Sequence, residues 1–142
     1  MFLRKLTDEE LVQIKKSKDD ANKVIKAQRK KLQADIKIYQ RTTNSTKLNR
    51  LIKQLDELSV ITESPVLVKV EGVSLCVNYD LLKKFERSLY KSNLRCSDIK
   101  IHGKSLIIRY GKHGQSGAVE LFELPEHQVK LLTVLPIINL KE

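Results

Sequence analysis

The side chains able to carry covalent or acid–base chemistry are few: Cys76, Cys96, His102, His113 and His127. A nucleophile needs a base within hydrogen-bond reach and a further group that orients the base. None of the cysteines adjoins a histidine, so such a pair would need the fold to bring distant segments together. Cys76 alternates with valines, the place of a small core residue on a strand. Cys96 falls in a turn, where the adjacent Arg95 would lower its pKa, and the histidines fall in or beside turns, where solvation suffices. No Cys-x-x-Cys pair or Cys/His spacing suits a metal. Asp19, Asp20, Glu120, Glu123 and Glu126 lie on segments with different roles, and Glu120 and Glu123 have opposite strand parity, so no two-metal cluster is expected. These residues predict a protein that is not an enzyme and carries neither metal nor cofactor.

Anion binding is better represented. Gly111-Lys112-His113-Gly114-Gln115-Ser116-Gly117 has the glycines that let backbone amides approach a phosphate. It lacks the Gly-Lys-Ser/Thr ending, and a strand-like segment follows it where a phosphate-binding loop opens a helix. It reads as a hairpin loop with a basic end formed by Arg109, Lys112 and His113. The sharper signal is Lys16, Lys23, Lys30 and Lys37, which recur every seven residues, with Lys26 and Arg41 nearby. Between Lys15 and Arg41 ten Lys and Arg stand against three Asp. On a helix rising about 1.5 Å per residue, members of this row lie roughly 10 Å apart, a spacing that can meet a line of phosphates. The same row suits the solvent face of any helix, where lysine is a good helix former. Lysines touch phosphate as point charges; base reading calls for Arg, Asn or Gln in a groove. Gln28 and Gln33 are too ordinary to promise sequence specificity.

The elements that must position these residues follow from capping and periodicity. Thr7-Asp8-Glu9-Glu10 is a capping box that starts a helix near residue 8. No Gly or Pro appears from there to Pro65, and Thr42-Thr43-Asn44-Ser45 supplies a turn, so two helices are expected. Leu48, Leu51, Ile52, Leu55 and Leu58 make one apolar stripe on the second. On the first, Leu11, Ile14, Ala21, Ile25, Leu32, Ile36 and Tyr39 make a thinner one, interrupted by Lys18, Gln28 and Asp35. A short turn makes the pair an antiparallel hairpin in which the first helix overhangs, its N-terminal part exposed or paired with a second copy of the chain. Beyond Pro65 the period becomes two. Val66, Val68 and Val70, then Val73, Leu75 and Val77, flank a Glu71-Gly72 turn. Asn78 caps a helix carrying Leu81, Leu82, Phe85 and Leu89. Segments around 99–101, 106–110 and 119–124 read as strands, Pro125 can open a short helix, and 137–140 can add an edge strand.

The expected fold is α+β: an N-terminal helical hairpin, one helix long and basic, over residues 1–62, then a mainly antiparallel ββαβββ unit over 65–142 with room for a short C-terminal helix. A formal charge of +10 in 142 residues favours polyanions. The longest apolar run, 131–138, is far short of the about 20 residues that span a bilayer, so no membrane is expected. The charged residues that follow Met1-Phe2-Leu3 give no signal-peptide core, and two unpaired cysteines suit a reducing cytoplasm. The leading expectation is a nucleic-acid-associated accessory or regulatory protein contacting the backbone with little sequence specificity. The alternative is a protein-interaction module or inhibitor that docks on an acidic face of a larger nucleic-acid-processing protein, with a homodimer through the first helix as a further option. Lys16, Lys23, Lys26, Lys30, Lys37, Arg41, Arg109, Lys112 and His113 are the expected contacts in either case.

Overall fold

A computed structural model describes residues 2–41, 45–112 and 115–141. The chain runs α1 (Asp8–Tyr39), α2 (Ser45–Glu57), β1 (Pro65–Val70), β2 (Val73–Asn78), α3 (Tyr79–Lys91), β3 (Arg95–His102), β4 (Ser105–Lys112), β5 (Gln115–Phe122), α4 (Glu126–Val129) and β6 (Ile137–Lys141). The class is α+β, and the element order is the one that capping and periodicity predict.

Local chemistry explains the boundaries. The Thr7 side chain accepts from the Glu10 amide at 3.2 Å while Glu10 accepts from the Thr7 amide at 3.1 Å, the reciprocal capping box that opens α1. Glu71 and Gly72 both take positive φ, 50° and 85°, as a two-residue hairpin between β1 and β2 requires. Asn78 caps α3 through the Asp80 amide. Asn93, at φ 58°, ends that helix: Leu94 N–H donates to the Leu89 carbonyl and Asn93 N–H to the Tyr90 carbonyl, the paired bonds of a left-handed C-terminal cap.

The strands form two three-stranded sheets rather than one. The first has the order β2-β1-β6 and the second β3-β4-β5. β2 pairs with β1 antiparallel, while β6 joins β1 as the edge strand and pairs with it parallel, the one parallel pairing in a mainly antiparallel arrangement. The physical reason is that β1 is apolar on both faces. Val66, Val68 and Val70 enter the main core with Leu82, Leu106, Ile108 and Ile138, while Leu67 on the other face packs on the cluster of Cys76, Leu124 and Leu135. A strand buried on both faces takes the centre of its sheet, with a neighbour on each edge.

The overhang expected for α1 is not left in water. Ile14 joins the main core, Ser17 bonds the Val134 carbonyl, and Ala21 and Ile25 pack against Ile61. Asn22 clamps the same linker, donating to the Ile61 carbonyl at 3.0 Å and accepting from the Ile61 amide at 2.7 Å. Leu11, expected on the buried stripe, is half exposed because the covered arc of α1 runs through Ile14, Ser17, Ala21 and Ile25. The later part of α1 packs on α2, whose stripe residues Leu48, Leu51, Leu55 and Leu58 are half-buried and whose Ile52 is exposed. One helix cannot cover that stripe completely. Arg29 compensates by donating from Nη1 to the Leu58 carbonyl and to that of Leu55 at 3.1 Å, the latter shared with the Leu58 amide.

Candidate cationic docking face on helix α1

The groups that could have been catalytic stand apart in chemical character. Cys76 is buried against Leu124 and Leu135, and burial, with a smaller contribution from Glu123, pushes its thiol up to about 12. Cys96 lies on β3 rather than in a turn; burial raises its pKa, against the lowering expected from Arg95, and its thiol points to the Asp98 carbonyl at 3.8 Å. A thiol held protonated is a poor nucleophile. His102 is exposed at the end of β3. His127 on α4 meets the Ser59 amide and carbonyl, at 3.1 and 3.0 Å through Nε2. Among the described residues no three His, Cys, Asp or Glu side chains converge on a metal-sized site, and no helix is long and apolar enough to cross a membrane.

The loop of glycines resolves into strand. β4 and β5 pair through Arg109–Ala118, Tyr110–Gly117, Gly111–Ser116 and Lys112–Gln115, so most of the segment is committed to ladder rather than free to cradle an anion. A Cβ at Gly117 would lie 2.5 Å from Tyr110 Oη, so glycine is there to admit the tyrosine ring, not a phosphate. Tyr110 in turn meets Phe85 edge-on at 5.9 Å. Arg109 and Lys112 are exposed on β4; His113 lies outside the described residues. Among the described residues no hydrogen bond or salt bridge ties β4 to α1, so these cations are a separate feature from the helix row.

On α1, Lys16, Lys23, Lys26, Lys30 and Lys37 are all exposed, and Arg41 just past its end is exposed as well. None of the five lysines forms a salt bridge with another described residue; the two salt bridges among those residues are Arg4–Glu10 and Lys130–Glu126. Four of the lysines stand in one row roughly opposite the buried arc, at about 100° of rotation per residue. The row spans about 32 Å of helix from Lys16 to Lys37; Asp19 and Asp20, one turn from Lys16 and Lys23, temper its first part, whereas no acid follows until Asp35 on another side of the helix.

Beside that row lies a feature that composition hid. Val24, Ala27, Ala34 and Ile38 are exposed, Val24 by 42% and Ile38 by 61%, and are spaced three, seven and four apart. That is the spacing of a second apolar seam on α1, turned away from the seam that contacts the body. The signal was legible in the 3-and-4 periodicity but overlapped a lysine-rich stretch that reads as plain solvent face. Lys31 occupies the central position of this seam and is exposed too.

No protein-family model, curated protein or solved structure matches the chain.

Proposed function

We propose that this is a non-enzymatic binding protein whose α1 docks on nucleic acid through backbone phosphates, acting as an accessory or regulatory factor. The observation that carries the reading is the row of exposed lysines Lys16, Lys23, Lys30 and Lys37, none in a salt bridge among the described residues and carried on a helix anchored along its other side. A row carried on a formed helix needs no backbone ordering when it meets a polyanion, and only the lysine side chains lose freedom. Lys26 and Arg41 extend it, while Arg109 and Lys112 offer a separate contact. Because lysine reads charge rather than bases, binding is nearly independent of sequence.

Salt dependence tests this reading. If about five lysines each neutralise a phosphate, log affinity falls against log salt with a slope near −4 to −5. A flat salt dependence, or no binding to duplex or single strands at low salt, overturns it.

A second reading is favoured by a specific observation. Val24 and Ile38 are exposed beside the lysines, and a phosphate backbone would leave them in water. An acidic protein surface would cover both the charge and the apolar seam.

A further inference from the structure

We infer that the C-terminal half of α1 is the seat of an acidic amphipathic helix supplied by another protein, packed side by side with α1 along Val24, Ala27, Lys31, Ala34 and Ile38. The inference deepens the second reading above and rests on it.

The geometry comes first. In a heptad frame with Val24, Lys31 and Ile38 at the first core position, Ala27 and Ala34 fall at the second. Lys23, Lys30 and Lys37 then all fall at the position that flanks the core and meets the partner's side chains. The same lysines are outermost with respect to the buried arc, so one row of charge is remote from the body and adjacent to the second seam. The alanines allow close helix approach, and Val24 and Ile38 supply an apolar anchor near each end, about 21 Å apart.

Charge selects the occupant. A second copy of this chain is disfavoured in both orientations. In a parallel pair Lys31 would face Lys31 of the other copy inside the seam, and in an antiparallel pair the two flanking lysine rows would face each other. The two flanks of the seam differ: Lys23, Lys30 and Lys37 line one, Gln28 and Asp35 the other. A helix with Glu opposite the lysine row, an uncharged residue opposite Gln28 and Asp35, and an Asp or Glu facing Lys31 meets these cations with anions while its leucines cover Val24 and Ile38. Nucleic acid meets the cations but not the seam. α1 is already helical and held by Ser17, Asn22 and Ile25, so the partner helix docks on an ordered template and a two-heptad seam suffices where two free peptides would need more.

The test uses the full chain and a labelled synthetic peptide of about four heptads with Leu at the core positions save one Asp to face Lys31, Glu at the flanking position that meets the lysine row and Gln at the other, and its counterpart with Lys in place of Glu. Fluorescence anisotropy is expected to show saturable binding of the Glu peptide and none of the Lys peptide. Val24→Ser with Ile38→Ser should weaken the Glu peptide by at least about tenfold while leaving affinity for duplex DNA unchanged. Ala34→Gln, which adds bulk to the seam without altering charge, should do the same. Lys23→Glu with Lys30→Glu and Lys37→Glu should abolish both. If the seam variants bind the Glu peptide like the parent chain, attraction is by charge alone and the inference fails, while the nucleic-acid reading stands or falls separately on its salt slope. If sedimentation shows a dimer of the parent chain that Val24→Ser with Ile38→Ser dissociates, a second copy fills the seam and the inference fails in that way.

Discussion

Ser17 Oγ, in the middle of α1, donates to the carbonyl oxygen of Val134 at 2.7 Å and lies 3.3 Å from the Thr133 hydroxyl. Ser17 is buried, and this bond ties the first helix to the segment between α4 and β6. Replacing Ser17 with Ala leaves a carbonyl without its donor and should lower unfolding free energy by about 1–2 kcal/mol in urea. Ser17→Leu should cost more by forcing α1 off the body.

Gly117→Ala is expected to destabilise by about 1–3 kcal/mol, because the added Cβ would stand 2.5 Å from Tyr110 Oη. Pairing it with Tyr110→Leu should recover part of the loss. A double-mutant cycle read by thermal melting checks this, and strict additivity would mean the two sites do not meet.

Arg29→Ala removes the side-chain donor to the Leu58 carbonyl and to the Leu55 carbonyl, which keeps the Leu58 amide. Amide exchange should accelerate across the last turn of α2 and the linker to Ile61, with global stability lower by about 1–2 kcal/mol. Exchange in β4 should be little changed.

Sequence reading recovered what is decided locally. The Thr7–Glu10 capping box, the Glu71-Gly72 turn and the exposed lysine row depend on residues within one turn or one helix face, and each is found where spacing places it. What was not legible depends on distant partners. The parallel pairing of β6 with β1 joins segments about 70 residues apart, which no local signal encodes. Ser17, a polar residue on a helix, gave no hint of burial, since its acceptor belongs to residue 134. The adjacent Arg95 suggests a lowered Cys96 pKa, but burial, which depends on distant packing, raises it. The seam at Val24, Ala27, Ala34 and Ile38 was present in the spacing and was obscured by the lysines between.

Arg4 grips Glu10 through two 2.6 Å bonds, and this hydrogen bonding, helped by the Thr7 amide, lowers the Glu10 carboxyl from 4.5 to about 2. A depressed carboxylate stabilises the fold above its unfolded pKa and loses that contribution as pH falls through the folded value. Melting temperature should therefore carry a component that declines from near pH 4.5 towards pH 2, and Glu10→Gln should remove that component. The partial exposure of Arg4 keeps the effect small and salt-sensitive.

Changing Lys16, Lys23, Lys30 and Lys37 together to Glu should abolish nucleic-acid binding with little change in melting temperature, because none of the four contributes a salt bridge among the described residues. A sharp fall in melting temperature would show the row to be structural.

The parallel pairing of β6 with β1 has a kinetic consequence. During synthesis β1 and β2 emerge as a hairpin whose outer edge stays unpaired until residues 137–141 are available, roughly 60 residues later. Throughout that interval an apolar strand with Val66, Val68 and Val70 presents open backbone groups to any extended segment nearby. In the full-length chain the same pairing is a long-range contact, and it slows folding relative to a sheet built from hairpins alone. The same waiting edge is where a nascent chain would be most open to mispairing or to a chaperone.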